Sequence, residues 1–392
     1  MLKSLFNLGH ISAGFTAVLV GYTSSVVIII QAASAAGASP SQIEGWLLAL
    51  GLAMGVSSIG FSWWFKKPVL TAWSTPGAAM LVTAVGDYSL NEAIGAFMVC
   101  GLMIVITGLI SPLSRAIERI PAQLGTAMLG AILLPFCLRA FEPLATSPVI
   151  FTAMLVSYLI AKHLIPRYAM LTLLIVGVVC AASVGSFSQP VFSVSIATPQ
   201  WFPAHIDLSA VINLALPLYV ITMLSQNLPG VAMMKSYRYD VAVKPLLTGT
   251  GLCNILFAPF GGFSVNLAAI SAAICMNEAV DSDKQQRYRA AIWAGVFYLI
   301  AGVFASTVVA LFLALPQQVS HILAGLALLG TLMMCLQTAF HDVDYREPAL
   351  LTFLVTLSGV NFAGVSATLW GLLIGLVYLQ VTRSLTRSRS TL

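Results

Sequence analysis

Two short stretches of the chain carry hydroxyl and amide side chains directly after proline and glycine breaks. The first stretch holds Ser74 and Thr75, and the second holds Ser264 and Asn266. A helix that starts inside a membrane leaves its first N–H groups unpaired. Two such helix N-termini facing each other form a partial positive pole, which suits an anion such as a carboxylate. We therefore expect these four side chains either to bind a ligand or to cap the two helices.

Aromatic and amide side chains accompany these two stretches. Trp73 and Phe263 directly precede them, where a ring either stacks on a planar ligand or anchors the chain at the membrane interface. Gln226 and Asn227 form an amide pair just before a Pro-Gly sequence, and they are expected to face the bundle interior or to end a helix. Tyr22 lies in a small polar patch at mid-span, which suits close helix packing or the wall of a cavity.

The sequence does not place together the groups that covalent chemistry requires. The six cysteines include no C-x-x-C pair, no His/Cys cluster has metal spacing, and there is no ATP-binding loop. We predict no catalytic residue, no metal and no cofactor, and hence a protein that is not an enzyme. All 13 acidic residues are assigned to loops or span ends, so a proton site would have to be a span-end group such as Glu44, Glu142 or His10.

Composition indicates that this chain is embedded in a lipid bilayer. Hydrophobic residues make up 59% of the 392 positions and charged residues only 8%, whereas a soluble domain carries about a quarter charged residues. No basic stripe with interleaved aromatic residues is present, so nucleic acid is not an expected partner. The predicted fold class is an all-α polytopic membrane protein.

The apolar runs divide the chain into about fourteen membrane segments, several of them short. Their predicted limits are 11–32, 45–65, 69–85, 93–113, 122–138, 147–162, 167–186, 208–228, 244–259, 263–277, 290–315, 319–340, 347–360 and 363–382. Residues 1–186 would form a first repeat of seven spans, 187–207 a periplasmic linker, and 208–392 a second repeat. An odd number of spans per repeat inverts the second repeat relative to the first.

Basic residues sort to one side of this arrangement. If the N-terminus is cytoplasmic and the spans alternate, all 18 Lys and Arg residues except Arg139 lie on the cytoplasmic side. This is the asymmetry that the positive-inside rule describes. We therefore predict a multi-pass protein of the bacterial inner membrane with both termini in the cytoplasm.

Four strings of residues resemble the benzoate transporter (BenE) family, and the resemblance runs nearly end to end. They are Ser-Ala-Gly-Phe at 12–15, Gly-Tyr-Thr-Ser-Ser at 21–25, Thr-Ala-Trp-Ser-Thr-Pro-Gly-Ala-Ala at 71–79, and Asn-Leu-Ala-Ala-Ile at 266–270. The family is similar in organisation to the nucleobase and sulfate carriers. That architecture implies a core of spans 1–4 and 8–11 and a gate of spans 5–7 and 12–14. It also implies that the third and tenth spans each combine a short strand with a half-helix.

The resemblance implies a secondary transporter that imports a small aromatic carboxylate such as benzoate with protons, by alternating access. The site would be lined by Trp73, Ser74, Thr75, Ser264 and Asn266, with Gln226 and Asn227 where nucleobase carriers place an acidic or amide pair. A homodimer is one assembly compatible with this organisation. Two alternatives stay open, namely a carrier of the same fold for a nucleobase or an inorganic anion, and a channel.

Overall fold

The computed structural model describes residues 7–110, 112–113, 115, 119–185 and 195–389. Within these ranges the chain is almost entirely helical. The helices that carry the argument are α1 (Leu8–Ala35), α2 (Pro40–Phe65), α3 (Thr75–Ala84), α4 (Leu90–Leu109), α5 (Ala122–Arg139), α6 (Pro148–Leu164), α7 (Ala169–Ser183), α8 (Leu208–Ser236), α9 (Val243–Phe257), α10 (Ile270–Met276), α11 (Tyr288–Val303), α12 (Ala305–Ala314), α13 (Gln317–His341), α14 (Arg346–Ser358) and α15 (Ala367–Arg389). Two strands, β1 (Thr71–Trp73) and β2 (Val265–Leu267), precede α3 and α10.

Seven helical stretches in the described residues are long and apolar enough to cross a membrane. They are α1, α2, α4, α5, α7, α8 and α13, with α5 and α7 counted together with adjoining helical turns. An eighth span is formed if α11 and α12, which meet at a bend of 64°, are taken together. The protein is therefore a polytopic helical membrane protein, as the composition indicated.

Helices from the two halves of the chain pack against each other at points where glycines meet. Gly51 on α2 lies so close to Gly302 on α11 that a Cβ added at Gly51 would come within 2.6 Å of the Gly302 Cα. Gly101 on α4 and Gly251 on α9 approach similarly, since a Cβ at Gly251 would lie 2.8 Å from the Gly101 carbonyl oxygen. Small residues allow such close approach in membranes, where packing rather than the hydrophobic effect drives association. Helix α5 also packs closely on α13, where a Cβ at Gly325 would come within 2.4 Å of the Phe136 carbonyl oxygen.

The structure departs from the sequence-based limits at the tenth and eleventh segments. The segment predicted over 263–277 consists of β2 followed by the seven residues of α10, because Gly261 and Ser264 have positive φ angles of 90° and 45° and the chain between them and α10 is extended. This confirms the strand and half-helix that the resemblance implied for the tenth span. The span expected over 290–315 is the bent pair α11 and α12.

The segment between the two halves is more than a spacer where it is described. Residues 186–194 lie outside the described ranges, as do Met1, Lys3 and Leu392, on which the topology prediction rests in part. From residue 195 onward the linker packs on the helix ends. The Phe202 side chain is buried, and its N–H donates to the Pro259 carbonyl at 2.7 Å. The His205 N–H donates to the Asn91 carbonyl at 2.9 Å.

Candidate functional site

The two strands pair with each other to form a short antiparallel ribbon between the halves of the chain. Thr71 lies opposite Leu267, and Trp73 opposite Val265. One further bond at each end extends the ladder, from the Ser74 N–H to the Ser264 carbonyl at 3.0 Å and from the Ala268 N–H to the Leu70 carbonyl at 2.9 Å. The ribbon is buried and leads directly into α3 at one end and towards α10 at the other.

A two-stranded ribbon has two open edges, and polar side chains satisfy the edge of β1. The N–H groups of Thr71 and Val69 donate to the hydroxyls of Ser58 and Ser62 at 3.0 and 3.2 Å. Ser57 forms a further hydroxyl contact with Thr71 at 2.6 Å. These side chains come from α2, on which Ser58 and Ser62 are four residues apart and share one helical face. Unpaired backbone groups are very costly in a bilayer, so this face of α2 is what permits a strand at this depth.

The edge of β2 is satisfied by two asparagines. The Asn254 side-chain amide on α9 forms two hydrogen bonds with the Val265 backbone. It accepts from the Val265 N–H at 2.5 Å and donates to the Val265 carbonyl at 3.0 Å. Asn227 on α8 accepts from the Leu267 N–H at 3.0 Å. Asn227 thus supports the ribbon backbone. Asn254 and the α2 serines were not predicted from the sequence, although polar side chains in otherwise apolar spans were the available signal.

Ser74 and Thr75, the predicted pair at the start of α3, have different roles. Ser74 is fully buried and caps the helix, accepting from the Gly77 N–H at 3.0 Å. Capping was one of the two expected roles for this residue, and it uses the hydroxyl oxygen. Thr75 is half-buried, and its hydroxyl makes no hydrogen bond with any described residue. Of the two, Thr75 therefore has the hydroxyl that is free to meet a ligand.

Ser264 and Asn266 are not at a helix N-terminus, contrary to the expectation. Both belong to the β2 region, whereas α10 starts only at Ile270 with Ala269 as its cap residue. The Ser264 hydroxyl contacts that of Thr222 on α8. The Asn266 amide N–H donates to the Ser264 carbonyl at 2.8 Å, and its Oδ1 is buried and has no hydrogen-bond partner in the described ranges.

Tyr22 and Trp73 form an aromatic pair beside the start of α3. Their ring centroids are 4.9 Å apart at an interplanar angle of 53°, and both residues are buried. The Trp73 Nε1–H donates to the Ser25 hydroxyl at 2.7 Å, which fixes the indole. The Tyr22 hydroxyl is buried and has no hydrogen-bond partner among the described residues. A buried hydroxyl without a partner is costly, and an ordered water or a bound ligand would satisfy it.

Three helices pack closely at Gly21, the residue before Tyr22 on α1. A Cβ at Gly21 would come within 3.3 Å of the Ser271 hydroxyl and 3.5 Å of the Tyr298 hydroxyl. The glycine therefore allows α10 and α11 to bring two hydroxyl side chains up to α1. Ser271 and Tyr298 were not among the residues predicted from the sequence.

Two other predicted residues are placed less centrally. Phe263 is fully buried in a separate aromatic cluster, with its ring centroid 5.8 Å from that of Trp46 and 5.4 Å from that of Phe97. Strand alternation also puts Asn266 and Trp73 on opposite faces of the ribbon, since the paired positions Trp73 and Val265 share one face and Ala72 and Asn266 the other. The structure thus brings Tyr22 and Thr75 to Trp73 but not Phe263.

The amide pair on α8 lies in a widened turn of that helix. Residues Met223–Asn227 are π-helical, as are Val211–Ala215. Pro229 and Pro217 lack the N–H groups that would bond four residues back, which explains both widened turns. Gln226 is half-buried and makes no hydrogen bond with the described residues. Its amide is therefore available, unlike that of Asn227.

Titratable groups lie at the ends of the helices rather than in this site. His10 Nε2 and Asp281 Oδ2 are 2.9 Å apart, and His10 is only 1% exposed. Glu44 accepts from the Ser306 hydroxyl at 2.5 Å. Glu142 Oε2 is 3.8 Å from His321 Nδ1. In the parts of the chain that are described, no three His, Cys, Asp or Glu side chains come together as a metal site.

A family model described as "Benzoate membrane transport protein" matches residues 4–381. The chain belongs to this family. It is 45% identical over 363 residues to "Inner membrane protein YdcO" of Escherichia coli (strain K12), covering 93% of each chain. It is 38% identical over 376 residues to "Benzoate membrane transport protein" of Acinetobacter baylyi, covering 96% of this chain and 95% of the relative. The chain is therefore a membrane transport protein and not an enzyme, and the resemblance noted in the sequence is confirmed.

Solved structures of anion carriers share the fold. The transmembrane domain of the cyanobacterial bicarbonate transporter BicA superposes with a TM-score of 0.64 at 16% identity, over 96% of this chain and 98% of that one. Murine Slc26a9, an anion transporter solved in the inward-facing state, gives a TM-score of 0.62 at 12% identity, over 97% of this chain and 69% of that one. At these identities the likeness concerns the fold alone.

Proposed function

We propose that this protein is a secondary active transporter that imports benzoate or a similar small aromatic carboxylate by alternating access. The observation that carries the proposal is the Tyr22–Trp73 pair beside the N-terminus of α3, with a buried Tyr22 hydroxyl that lacks a partner. An aromatic acid offers both a flat ring for Trp73 and a carboxylate that accepts from hydroxyl and N–H donors. The 38% identical relative is described as a benzoate transporter.

The carboxylate would lie at the start of α3. The donors available there are the Thr75 hydroxyl, the Tyr22 hydroxyl and the first backbone N–H groups of the helix, whose dipole favours an anion. Ser74 holds the helix start in place through its cap and does not need to contact the substrate. Gln226, whose amide is uncommitted, and Ser264 would complete the wall on the α8 side.

The architecture that supports alternating access is a fourteen-segment inverted repeat. In such a repeat, predicted span 2 is equivalent to span 9, and span 4 is equivalent to span 11. The contact between spans 2 and 11 therefore has its counterpart in the contact between spans 9 and 4. The glycine contacts between α2 and α11 and between α4 and α9 are consistent with that exchange. The pairing of β1 with β2 agrees with it as well, because the two strands are equivalent in the two repeats.

Proton coupling would use the His10–Asp281 pair, in which the His10 side chain is buried. It joins the start of α1 to the segment after α10, and both helices touch the Tyr22 region. Asp281→Asn should abolish uptake driven by an imposed pH gradient while leaving benzoate exchange intact. Glu44→Gln and Glu142→Gln serve as controls and should retain gradient-driven uptake. Full gradient-driven uptake by Asp281→Asn would remove this pair from the mechanism.

A carrier for an inorganic anion is the second candidate, favoured by the fold shared with a bicarbonate transporter. The aromatic pair separates the two candidates, because a small inorganic anion has no ring to place against Trp73. Thermal stabilisation of the purified protein by benzoate, bicarbonate, acetate and uracil tests them directly.

Two variants sharpen that binding test. Thr75→Val keeps the shape and removes one hydrogen bond to an ionised ligand, which should weaken benzoate binding about ten- to hundred-fold. Trp73→Ala should weaken benzoate more than acetate. Thr126→Val is the matched control, because the Thr126 hydroxyl bonds to the Ala122 carbonyl of its own helix. Stabilisation by bicarbonate or uracil alone, or unchanged benzoate binding in both variants, would contradict the proposed function.

A further inference from the structure

A polar cavity of 310 Å³ lies at the end of the molecule that the charge distribution predicts to face the cytoplasm. Its walls come from the start of α1, the end of α10, the turn after α8 and the loop between α6 and α7. The polar side chains in these walls are those of Ser12, Thr16, Arg167, Tyr237 and Asn277. No residue assigned above to the central site lines this cavity.

Arg167 is the one charged side chain in the cavity wall. It forms no salt bridge and no hydrogen bond with any described residue. No carboxylate side chain lines the cavity. Two acids flank its wall residues: Glu278, between Asn277 and Ala279, is exposed, and Asp281, next to Val280, is paired with His10. A cation without a partner beside polar groups is a site of positive potential.

The remaining polar groups of the wall are hydrogen-bond donors that the protein itself does not use. The hydroxyls of Ser12, Thr16 and Tyr237 make no hydrogen bond within the described ranges. Asn277 Oδ1 accepts from the Ala279 N–H at 2.9 Å, which leaves its amide N–H groups free. Guanidinium, hydroxyl and amide donors together match the oxygens of a carboxylate.

The cavity also lies close to the central site along α10. Ser271, which packs on Gly21, and Asn277, which lines the cavity, are six residues apart on and just after that helix. At the rise of an α-helix this separation is about 9 Å. One short element therefore links the two regions, although the cavity lining includes neither Tyr22 nor Trp73.

We propose that this cavity is a second, cytoplasm-facing binding site for the carboxylate of the transported acid, with Arg167 as its charged anchor. The site receives the substrate after it leaves the central pair and before it enters the cytoplasm. This inference rests on the proposed function for the identity of the acid. It adds a site that the central residues do not include.

The test compares transport from the two faces of the membrane. In inverted vesicles, which expose the cytoplasmic face, Arg167→Gln should raise the half-saturating benzoate concentration about tenfold, as expected for a lost charge-assisted bond. In right-side-out vesicles the half-saturating benzoate concentration of the same variant should differ from that of the parent by less than about twofold. Arg167→Lys, which keeps the positive charge, should recover most of the affinity that Arg167→Gln loses at the cytoplasmic face. Lys162→Gln is the control of equal charge change, because Lys162 Nζ bonds to the Tyr158 hydroxyl outside the cavity. Benzamide, the neutral analogue, should not compete from the cytoplasmic face.

The outcomes separate this inference from the proposed function. If the parent transports benzoate and Arg167→Gln matches Lys162→Gln at both faces, the cavity site is wrong and the function stands. An effect limited to the periplasmic face also overturns the placement. Binding of benzoate, acetate and bicarbonate to purified protein is measured in parallel. A different result would support the cavity as an anion site and refute the proposed substrate. In that case the parent protein does not transport benzoate but binds acetate or bicarbonate, and Arg167→Gln loses this binding. Absence of all binding refutes both.

Discussion

At the scale of single residues, the Tyr22 hydroxyl is the most informative group in the protein. It is buried in the membrane-spanning part of α1, packs its ring on Trp73 and has no hydrogen-bond partner among the described residues. A buried unpaired polar group costs about 1–3 kcal/mol. The Tyr22 hydroxyl therefore lowers the free energy of unfolding of the ligand-free protein. Such a cost is expected for a group that binds a ligand.

Tyr22→Phe tests this role because it separates stability from binding. Removal of an unpaired hydroxyl should leave the melting temperature of the ligand-free protein unchanged or raise it, while benzoate affinity falls about tenfold. Tyr219→Phe is the control, because the Tyr219 hydroxyl bonds to Thr107 at 2.5 Å. That variant should lower the melting temperature and leave affinity unchanged. A Tyr22→Phe protein that is less stable and binds normally would show that the hydroxyl has a structural partner instead.

Residue types alone predicted part of this site. Ser74 and Thr75 were found because they lie in a short segment that follows a proline break, where the start of a half-helix favours polar side chains. The same logic misplaced Ser264 and Asn266, since the chain stays extended through β2 before α10 begins. Phe263 could not be separated from Trp73 by sequence, because it precedes β2 between the positive φ angles of Gly261 and Ser264, which turn its ring towards Trp46 and Phe97.

At the scale of elements, the ribbon and the widened turns of α8 show what the hydropathy pattern leaves out. A three-residue strand has no periodicity to detect. The strands were expected only through the resemblance, and their edge partners Ser58 and Asn254 were not expected at all. Long apolar helices such as α1 and α13 were predicted closely, because length and composition alone define them.

One contact between elements is suited to open and close a path. Asn213, in the first widened turn of α8, donates to the Gly364 carbonyl at 2.8 Å and accepts from the Ser366 N–H at 2.7 Å. Gly364 and Ser366 belong to the hairpin between α14 and α15, so the amide joins a proposed core helix to the proposed gate. A cavity of 360 Å³ adjoins this contact at the end predicted to face the periplasm.

Asn213→Asp should weaken this contact, since a carboxylate cannot donate to the Gly364 carbonyl. The expected result is several-fold faster modification of a Thr368→Cys reporter in the adjoining cavity by a membrane-impermeant thiol reagent. The measurement uses a background without the six native cysteines. Asn361→Asp is the control on the same hairpin, because Asn361 makes no hydrogen bond with the described residues. Equal labelling of the two variants would show that the Asn213 contact does not control access.

At the scale of the whole molecule, the proposed carrier has one central site and two polar cavities at opposite ends of the described chain. The cavities near Asn213 and Arg167 are separate, and neither includes Tyr22 or Trp73. A channel would join them in one continuous path. The fold is shared with solved anion carriers, and composition together with apolar run lengths had already indicated a polytopic membrane protein.

Benzoate counterflow in proteoliposomes tests both alternating access and recognition of an aromatic carboxylate. Vesicles loaded with unlabelled benzoate and diluted into a trace of labelled benzoate should accumulate label transiently, because a carrier exchanges substrate across an alternating site without net flow. Benzamide inside the vesicles should not support accumulation, and Trp73→Ala should reduce it strongly. Label that only equilibrates, or that accumulates equally with benzamide inside, would contradict a carrier that recognises an aromatic carboxylate at the Tyr22–Trp73 pair.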